Sequence, residues 1–266
     1  MEDEQKSSVE EEHGIIRVGK KRKKWILISL LVFLSVIIFL FLLLYLSLPD
    51  TVELKRTNPK STALIEQRLS EAQEARKNFH VRQKWVSFEV IPDMLKKSVR
   101  ISEDANFYFH QGIDFEELKE SIKKNWEKGE LTRGGSTITQ QLAKNLYLST
   151  TKSIFRKIKE YLIARRLEND LSKNRIFQLY LNVIEFGPGI FGVEAAAQYY
   201  FRKSVSELDL EEIIRLTAVI PKPLQVRADG KSRWLLWRCR WILGKLLLYK
   251  YIDQITYDTL LPRFSS

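Results

Sequence analysis

The sequence has almost none of the residues that build disulfides or metal centres. Only one of its 266 residues, Cys239, is a cysteine, so an intramolecular disulfide and a cysteine-based zinc site are both excluded. The three histidines, His13, His80 and His110, are scattered and show no metal-ligand spacing. The sequence also contains no internal repeat and no low-complexity tract. These absences exclude a disulfide-stabilised scaffold and a cysteine-based zinc protein.

Acidic residues are in the minority. The chain has 44 Lys and Arg against 33 Asp and Glu, a net charge of +11. Residues 1–24 are nearly balanced in charge, so almost all of the excess lies in the rest of the chain. A basic domain is expected to meet an anionic partner, which leaves three classes: a nucleic acid, a membrane surface or a phosphate-bearing substrate.

Residues 25–48 contain neither a charge nor a proline. As a helix this run is roughly 36 Å long, more than the roughly 30 Å of a bilayer's hydrocarbon core. It is too long for a buried core helix or for the apolar part of a cleaved signal peptide. Five basic residues precede it at 20–24. By the positive-inside rule, the N-terminus is predicted to be cytoplasmic and residues from 49 onward to face outside.

Composition divides the chain into four predicted segments. Residues 1–24 form a cytoplasmic tail, disordered over residues 1–19, and residues 25–48 form a transmembrane helix. Residues 49–80 are predicted to be a linker or stalk, although residues 63–77 favour a helix that could equally be the first of the domain. Residues 81–266 form one mainly α-helical domain, in which residues 85–90 alternate like a short strand or an extended arm.

The stretch 102–112 is the strongest candidate for a catalytic site. Apolar spacing after Pro92 predicts a helix that ends near Glu103. A carboxylate at the negative end of a helix, beside Asp104 and the aromatic residues 107–109, is expected to have a raised pKa. Such a glutamate suits proton transfer near neutral pH. Taken alone, the pair would more often be a solvated helix end.

A polar, glycine-rich loop at 127–135 leads into a second candidate site. Thr137 and Gln140 have the spacing of a capping box, which predicts a helix whose free N–H groups face the loop. A helix start of this kind accepts phosphate, although an ordinary capped helix would be as common for the isolated motif.

Two further segments are basic. Arg156 and Glu160 are four residues apart and share a helix face near Lys157, a pattern that is most often simply solvated. Residues 234–251 mix three tryptophans with arginines and lysines. We favour a core helix for this segment over a helix lying in the membrane interface.

Taken in order, these motifs resemble the peptidoglycan glycosyltransferases of glycosyltransferase family 51, over about residues 85–223. The matching motifs are Glu103-Asp104-x-x-Phe107-x-x-His110-x-Gly112, the stretch from Gly134 to Asn145, Arg156-Lys157-x-x-Glu160, Tyr180-Leu181-Asn182 with Gly187, Gly192 and Ala195 to Ala197, and Ala218 to Pro223. The second is the most specific. Five ordered matches beside one membrane span are not a chance finding.

The resemblance implies a lysozyme-like glycosyltransferase domain behind a single N-terminal helix in the bacterial inner membrane, without a transpeptidase domain. It implies inverting transfer of a lipid-pyrophosphate-linked glycan to the 4-hydroxyl of lipid II, with Glu103 as the base and Glu160 as a second catalytic residue. The substrate-binding residues it implies are Asp104, Phe107, His110, Ser136, Thr137, Gln140, Gln141, Lys144, Lys152, Arg156, Lys157 and Asn182.

Cofactors and partners follow from the same resemblance. We expect a divalent cation, Mg²⁺ or Mn²⁺, and no organic cofactor. The expected partners are lipid II, the growing glycan strand, the membrane and other cell-wall synthesis or division proteins, but no nucleic acid. Lys152 stands where some relatives carry arginine. A lysine cannot bind phosphate in the bidentate manner of arginine, so bidentate phosphate binding is in doubt at this position. Arg175 stands where many carry an acidic residue, a change expected only at the surface.

Two alternatives remain at this point. A lysozyme or lytic transglycosylase would share the fold but would not need a basic pyrophosphate site, so residues 144–157 argue against it. A membrane-anchored scaffold with a dead site would not need Glu103 and Glu160.

Overall fold

The structure, a computed structural model, describes residues 2–120, 135–151 and 153–265, with side chains from Lys24 onward. The chain forms two compact units, Met1–Leu48 and Pro49–Ser266. The first is one helix, α1 (Glu2–Leu46), whose part Lys24–Leu46 is apolar, unburied and long enough to span a membrane. The prediction of disorder over residues 1–19 is wrong. This segment has no proline, is rich in helix-favouring Glu, Gln and Lys, and continues directly into an apolar helix.

The second unit is mainly helical, as predicted. Its helices are α2 (Ala63–Glu74), α3 (Asp93–Glu103), α4 (Ile138–Tyr147), α5 (Ile154–Asp170), α6 (Lys173–Val183), α7 (Val193–Phe201), α8 (Leu210–Val219), α9 (Arg233–Leu248) and α10 (Gln254–Leu260). Residues 115–120 are also helical, and 3₁₀ turns lie at Val52–Lys55, Val205–Glu207 and Leu261–Phe264.

Several helix boundaries follow from local chemistry that is visible in the sequence. α3 ends at Glu103, and α4 begins after Thr137 with both hydrogen bonds of the predicted capping box present. α5 and α6 are separated by Leu171 and Ser172, and the Ser172 side chain accepts the N–H of Arg175 and starts the next helix. These three boundaries fix the positions of Glu103, α4 and α5 along the chain.

Packing arranges the helices in two groups. α3, α8 and α9 pack on one another, while α4 packs on α2, α5 and α6. The fully buried side chains of the core include Leu95, Ile138, Leu142, Ile163, Leu167, Phe177 and Tyr180. The C-terminal end of α3 and the N-terminal half of α4 meet between the groups, and the candidate site lies at this junction.

A small three-stranded sheet, in the order β1-β3-β2, joins the N-terminal part of the unit to the segment that contains Gly187 and Gly192. β1 (Arg82–Gln83) runs parallel to β3 (Ile190–Phe191), which is antiparallel to β2 (Glu185–Gly187). Gly192 has φ +81°, and a Cβ there would lie 2.5 Å from the Asn182 carbonyl oxygen, so glycine is required. Residues 85–90 are not a strand; the strand precedes them, and they form an arm that ends in a turn.

The predicted linker at 49–80 belongs to the compact unit instead. Leu64 and Ile65 of α2 are buried, and the Thr51 hydroxyl donates to Asp170 at the end of α5. Arg175 holds the segment before α2. Its guanidinium donates to the carbonyl oxygens of Leu54 and Thr57, at 2.8 Å each, and to Asn58 Oδ1 at 2.8 Å. The polar residues that suggested a linker therefore have fixed partners, and Arg175 is more than a surface change.

Replacing Arg175 by alanine is expected to lower the free energy of unfolding by about 1 to 3 kcal/mol, because several charge-assisted hydrogen bonds are lost together. The segment 52–58 should also become sensitive to protease. A thermal melt and limited proteolysis measure the two effects. Arg56→Ala is the matched control, since Arg56 lies in the same segment with an exposed side chain. Equal stability of the two variants would contradict this role for Arg175.

Candidate active site

A cleft of about 730 Å³ opens where the two helix groups meet. One side is formed by the end of α3 and the residues after it, another by α4, and a third by α9. The lining residues with ionisable or amide side chains are Glu103, Asp104, Asn106, Glu116, Glu117, Glu120, Gln141, Lys144, Arg238 and Lys245. The cleft is therefore polar, and it brings together residues from α3, α4 and α9, which are far apart in the sequence.

Glu103 is the last residue of α3, and its side chain is only 10% exposed. One carboxylate oxygen accepts a hydrogen bond from Gln141 Nε2 at 3.2 Å. The other faces the Ser102 hydroxyl at 3.3 Å and Arg238 Nη2 at 3.4 Å. Both oxygens are held at the cleft wall by moderately long contacts, which leaves the group available to a substrate hydroxyl.

Burial raises the pKa of Glu103 above its usual value. The positive charge of Arg238 and the hydrogen bonds from Gln141 and Ser102 oppose this rise, and the negative charge of Asp104 adds to it. The predicted direction of the shift is the one found, and its main cause is loss of water around the buried carboxylate. A buried carboxylate with a raised pKa is a candidate general base.

Asp104 follows Glu103 in the chain, but its carboxylate makes different contacts. It is buried, and its carboxylate accepts the backbone N–H of Ile138 at 2.9 Å and faces His110 Nε2 at 3.0 Å. Since His110 Nδ1 accepts the N–H of Gly112, Nε2 is the nitrogen that donates to Asp104. Asp104 thus ties the end of α3 to the first turn of α4, where a negative charge also meets the helix dipole favourably.

Gln140 and Gln141, in the motif from Gly134 to Asn145, have different roles. Gln140 is buried, and its side chain accepts the N–H of Thr137, whose hydroxyl donates to the Gly112 carbonyl at 2.7 Å. Gln141 faces the cleft instead. Its oxygen accepts the hydroxyl of the buried Tyr180 at 3.1 Å, which turns its amide nitrogen toward Glu103. Gln141 is therefore placed to act beside the base, whereas Thr137 and Gln140 hold the start of α4.

A cationic group lies around Glu160 of α5, close to the start of α4. Glu160 is buried and accepts from Arg156 Nη1 at 2.7 Å and from the Lys157 ammonium. Lys157 also donates to the Ser136 hydroxyl at 2.9 Å, and Ser136 lines the cleft. Lys144 lines the cleft as well. Lys144, Arg156 and Lys157 are referred to below as the cationic group. Together they outnumber the one carboxylate of Glu160 and leave a local excess of positive charge beside the cleft.

The side chain of Lys144 has no hydrogen-bond or ion-pair partner within the described part of the chain. Burial lowers the pKa of Lys144, and the positive charges of Arg156 and Lys157 lower it further. The negative charge of Glu160 partly offsets these effects. A partly buried cation without an ion-pair partner favours a bound anion, whose negative charge would raise the pKa of the ammonium again.

Of the predicted substrate-binding residues, four line the cleft: Asp104, Ser136, Gln141 and Lys144. The other described ones do not line it: Phe107, His110, Thr137, Gln140, Arg156, Lys157 and Asn182. Phe107 is fully buried against Phe177, with the Lys173 ammonium 4.4 Å from its ring centre, so it is a packing residue. Asn182 is also fully buried; its side chain accepts the N–H of Val86 and donates to the Val86 carbonyl, anchoring the arm after β1. Lys152 and residues 121–134, which include all of the glycine-rich loop at 127–135 except Gly135, lie outside the described residues.

The residue that the motifs missed is Arg238, from the middle of α9. The buried face of α9, which includes Leu235, Cys239 and Ile242, confirms the preferred prediction of a core helix. Its other side brings Arg238 to Glu103 and places Trp241 and Lys245 in the cleft wall. The only sequence signal was a mixture of arginine and tryptophan at irregular spacing, which does not identify a partner.

The described residues do not form a site that fits the expected divalent cation. No three carboxylate, histidine or cysteine side chains among them converge as metal ligands. Both oxygens of Glu160, the one carboxylate in the cationic group, are already paired with Arg156 and Lys157. Mg²⁺ or Mn²⁺ therefore stays a prediction, and no chemical step is assigned to it.

Glu103 and Lys144 line one cleft of a helical domain, and Arg156 and Lys157 lie beside it at Glu160, an arrangement suited to moving a group from a phosphate leaving group. The family described as Transglycosylase matches residues 69–247. The chain belongs to the transglycosylase family, and its helical unit has the lysozyme-like glycosyltransferase fold.

Curated relatives agree over most of their length. The chain is 42% identical to a "Biosynthetic peptidoglycan transglycosylase" of Methylobacillus flagellatus, covering 71% of this chain and 82% of the relative. It is 39% identical to a protein of the same name from Nitrosospira multiformis, covering 84% and 96%. A third, from Alcanivorax borkumensis, is 40% identical over 86% and 90%. These names describe synthesis, and nothing in the comparisons favours the lytic alternative.

Proposed function

We propose that this protein polymerises lipid II into linear peptidoglycan strands. The observation that carries the proposal is the placement of Glu103 and Lys144 in one cleft, with Arg156 and Lys157 paired to Glu160 beside it. The relatives' names and the family match support the same activity.

The reaction needs a base, a leaving-group site and a fixed geometry. Glu103 takes the proton of the acceptor 4-hydroxyl as that oxygen attacks the anomeric carbon of the donor chain, with inversion. The bond between this carbon and the pyrophosphate oxygen breaks, and the lipid pyrophosphate leaves with the bonding electrons. Lys144, Arg156 and Lys157 stabilise the charge that develops on it. Gln141, oriented by Tyr180, holds the Glu103 carboxylate while the proton moves.

The direct test is incubation of the purified full chain with lipid II. Gel separation of the products should show a ladder of glycan strands, and the lipid pyrophosphate should be released. A parallel incubation with isolated peptidoglycan tests the hydrolytic alternative. Soluble fragments from peptidoglycan, with no strands from lipid II, would contradict the proposal and support hydrolysis.

The proposed substrate is anchored in a lipid, so the site must lie near a membrane. The helix α1 fits a single-pass anchor. We propose that it spans the bacterial inner membrane with its basic residues 20–24 in the cytoplasm and the catalytic unit outside. Its proposed partners are the membrane, lipid II and the growing strand. Contacts with other cell-wall synthesis or division proteins remain a prediction.

Reporter fusions test the orientation. A periplasm-active reporter joined near Arg263 should be active, and a reporter that is active only in the cytoplasm should be silent there. Replacing the basic residues 20–24 by neutral ones should weaken this bias, because positive charges next to a span set its direction. A cytoplasmic signal from the unaltered chain would contradict the proposed function, since lipid II would then be out of reach.

A further inference from the structure

Helix α9 forms one wall of the cleft although it lies after the last of the five motifs. Its apolar face is buried in the domain core and fixes the helix against α3 and α8. Arg238 projects from the opposite side and is 15% exposed. It is the basic side chain that directly contacts the proposed base among the described residues.

The contacts of Arg238 are unusually specific. Its Nη2 lies 2.8 Å from the Ser102 hydroxyl oxygen and 3.4 Å from Glu103 Oε1. The guanidinium lies over the Trp241 ring, 4.3 Å from its centre, which sets the plane of the group. Its Nε is buried and has no hydrogen-bond partner in the described part of the chain.

The distance between Arg238 and Glu103 is also informative. A well-formed pair of this kind has N···O distances of about 2.7 to 2.9 Å. At 3.4 Å the charge of Arg238 acts on the carboxylate, but the oxygen is not locked into a tight ion pair. A carboxylate that must accept a proton from a substrate needs this combination of a nearby positive charge and a free lone pair.

The electrostatic surroundings of Glu103 come from every element packed around it. Asp104 follows it in the chain, Gln141 contacts it from α4, and Tyr180 stands behind Gln141 on α6. The other charged side chains lining the same cleft are Glu116, Glu117, Glu120, Lys144 and Lys245. Of all these charged groups, Arg238 is the cation whose contact with the carboxylate the structure records.

We propose that Arg238 is a positioning residue that keeps Glu103 ionised and directed into the cleft, so that the base is ready when the acceptor hydroxyl arrives. The inference rests on the proposed function. Burial alone favours the protonated form of Glu103, which cannot act as a base. Arg238 opposes that effect through its charge, and Trp241 and Ser102 hold the guanidinium where it does so.

The test is the pH dependence of kcat/KM for strand formation in Arg238→Gln. Without the positive charge, protonated Glu103 is favoured and the acid limb should move to higher pH, by about 1 to 3 pH units. One pH unit below the new midpoint the rate should be about tenfold lower than its plateau, and at higher pH it should recover toward that of the wild type. Arg238→Lys keeps the charge and should leave the limb near its original position.

Two comparisons make the outcome decisive. Arg240→Gln is the matched control, because Arg240 lies on the same helix and donates to the Phe264 carbonyl at 2.6 Å without lining the cleft. Its acid limb should not move. Arg238→Met removes the charge but keeps the side-chain stem over Trp241, and it decides the question if the glutamine variant does not fold in a thermal melt.

The possible failures are distinct. A wild-type protein that makes no strands at any pH contradicts the proposed function. A wild-type protein that makes strands, together with folded Arg238→Gln or Arg238→Met variants whose rates fall equally at all pH values, overturns the role proposed for Arg238. A shifted limb that Arg238→Lys restores supports it.

Discussion

Glu103→Gln is expected to lower the rate of strand formation from lipid II by about 10² to 10⁴, the usual contribution of a general base. Glutamine keeps the shape of the side chain and its place beside Gln141, but it has no site for the transferred proton. The loss should appear in kcat, because the substituted side chain still fits the cleft. Strand formation followed by gel, with lipid II in excess, measures it.

The same substitution should be mild for folding. Burial raises the pKa of Glu103, so stability should fall as pH rises from the usual glutamate value through the raised one. Glutamine removes this cost, although Arg238 loses its counter-charge. We expect a melting temperature within about 3 °C of the wild type.

Glu194→Gln is a useful control for the base. Glu194 is also a buried glutamate, but it pairs with Lys84 and accepts the N–H of Val205, away from the cleft. It should lose stability and retain activity. A Glu103→Gln protein that polymerises at nearly the wild-type rate would show that Glu103 is not the base.

Glu160→Gln is expected to lower the rate by about 10² to 10³, the range seen when one preorganised electrostatic contact is lost. Both carboxylate oxygens of Glu160 are in ion pairs, with Arg156 and Lys157, so the residue is not free to accept a proton. Its proposed role is to hold the cationic group where the pyrophosphate leaves. An uncharged amide would leave these cations without a counter-charge, and their mutual repulsion would move them apart.

Glu168→Gln is the matched control for Glu160, because Glu168 lies on the same helix and is buried in an ion pair with Lys173 at 2.8 Å. It does not line the cleft, so its loss should reduce stability and leave the rate nearly unchanged. Rates should be compared at a temperature at which circular dichroism shows every variant to be folded. If Glu160→Gln and Glu168→Gln have the same rate, the cationic group does not depend on Glu160.

Local chemistry made part of the site predictable. The apolar residues at helical spacing before Glu103 predicted that a helix ends there. The four residues from Thr137 to Gln140 form a capping box, which predicted the start of α4. Arg156 and Glu160 pair because a helix brings positions four apart together. Each of these inferences needs only neighbours in the sequence.

What could not be predicted depends on partners far apart in the chain. Asp104 belongs to the start of α4, and Asn182 to the arm after β1, because those segments meet only in the folded domain. The segment 49–80 was also predicted wrongly. Its polar residues indicated a solvated linker, but Arg175, which is distant in the sequence, donates hydrogen bonds to its backbone. A motif identifies residues that matter together, but burial decides whether each one contacts substrate or supports a neighbour that does.

Helix α9 has a consequence for how small an active fragment can be. A fragment cut after Pro223 would contain every motif that identifies the family, including both candidate catalytic glutamates. It would lack the helix that seals one side of the cleft and carries Arg238 to Glu103. Water would then enter around the base from the open side. The smallest working enzyme is therefore expected to extend past the last of the five motifs, to the end of α9.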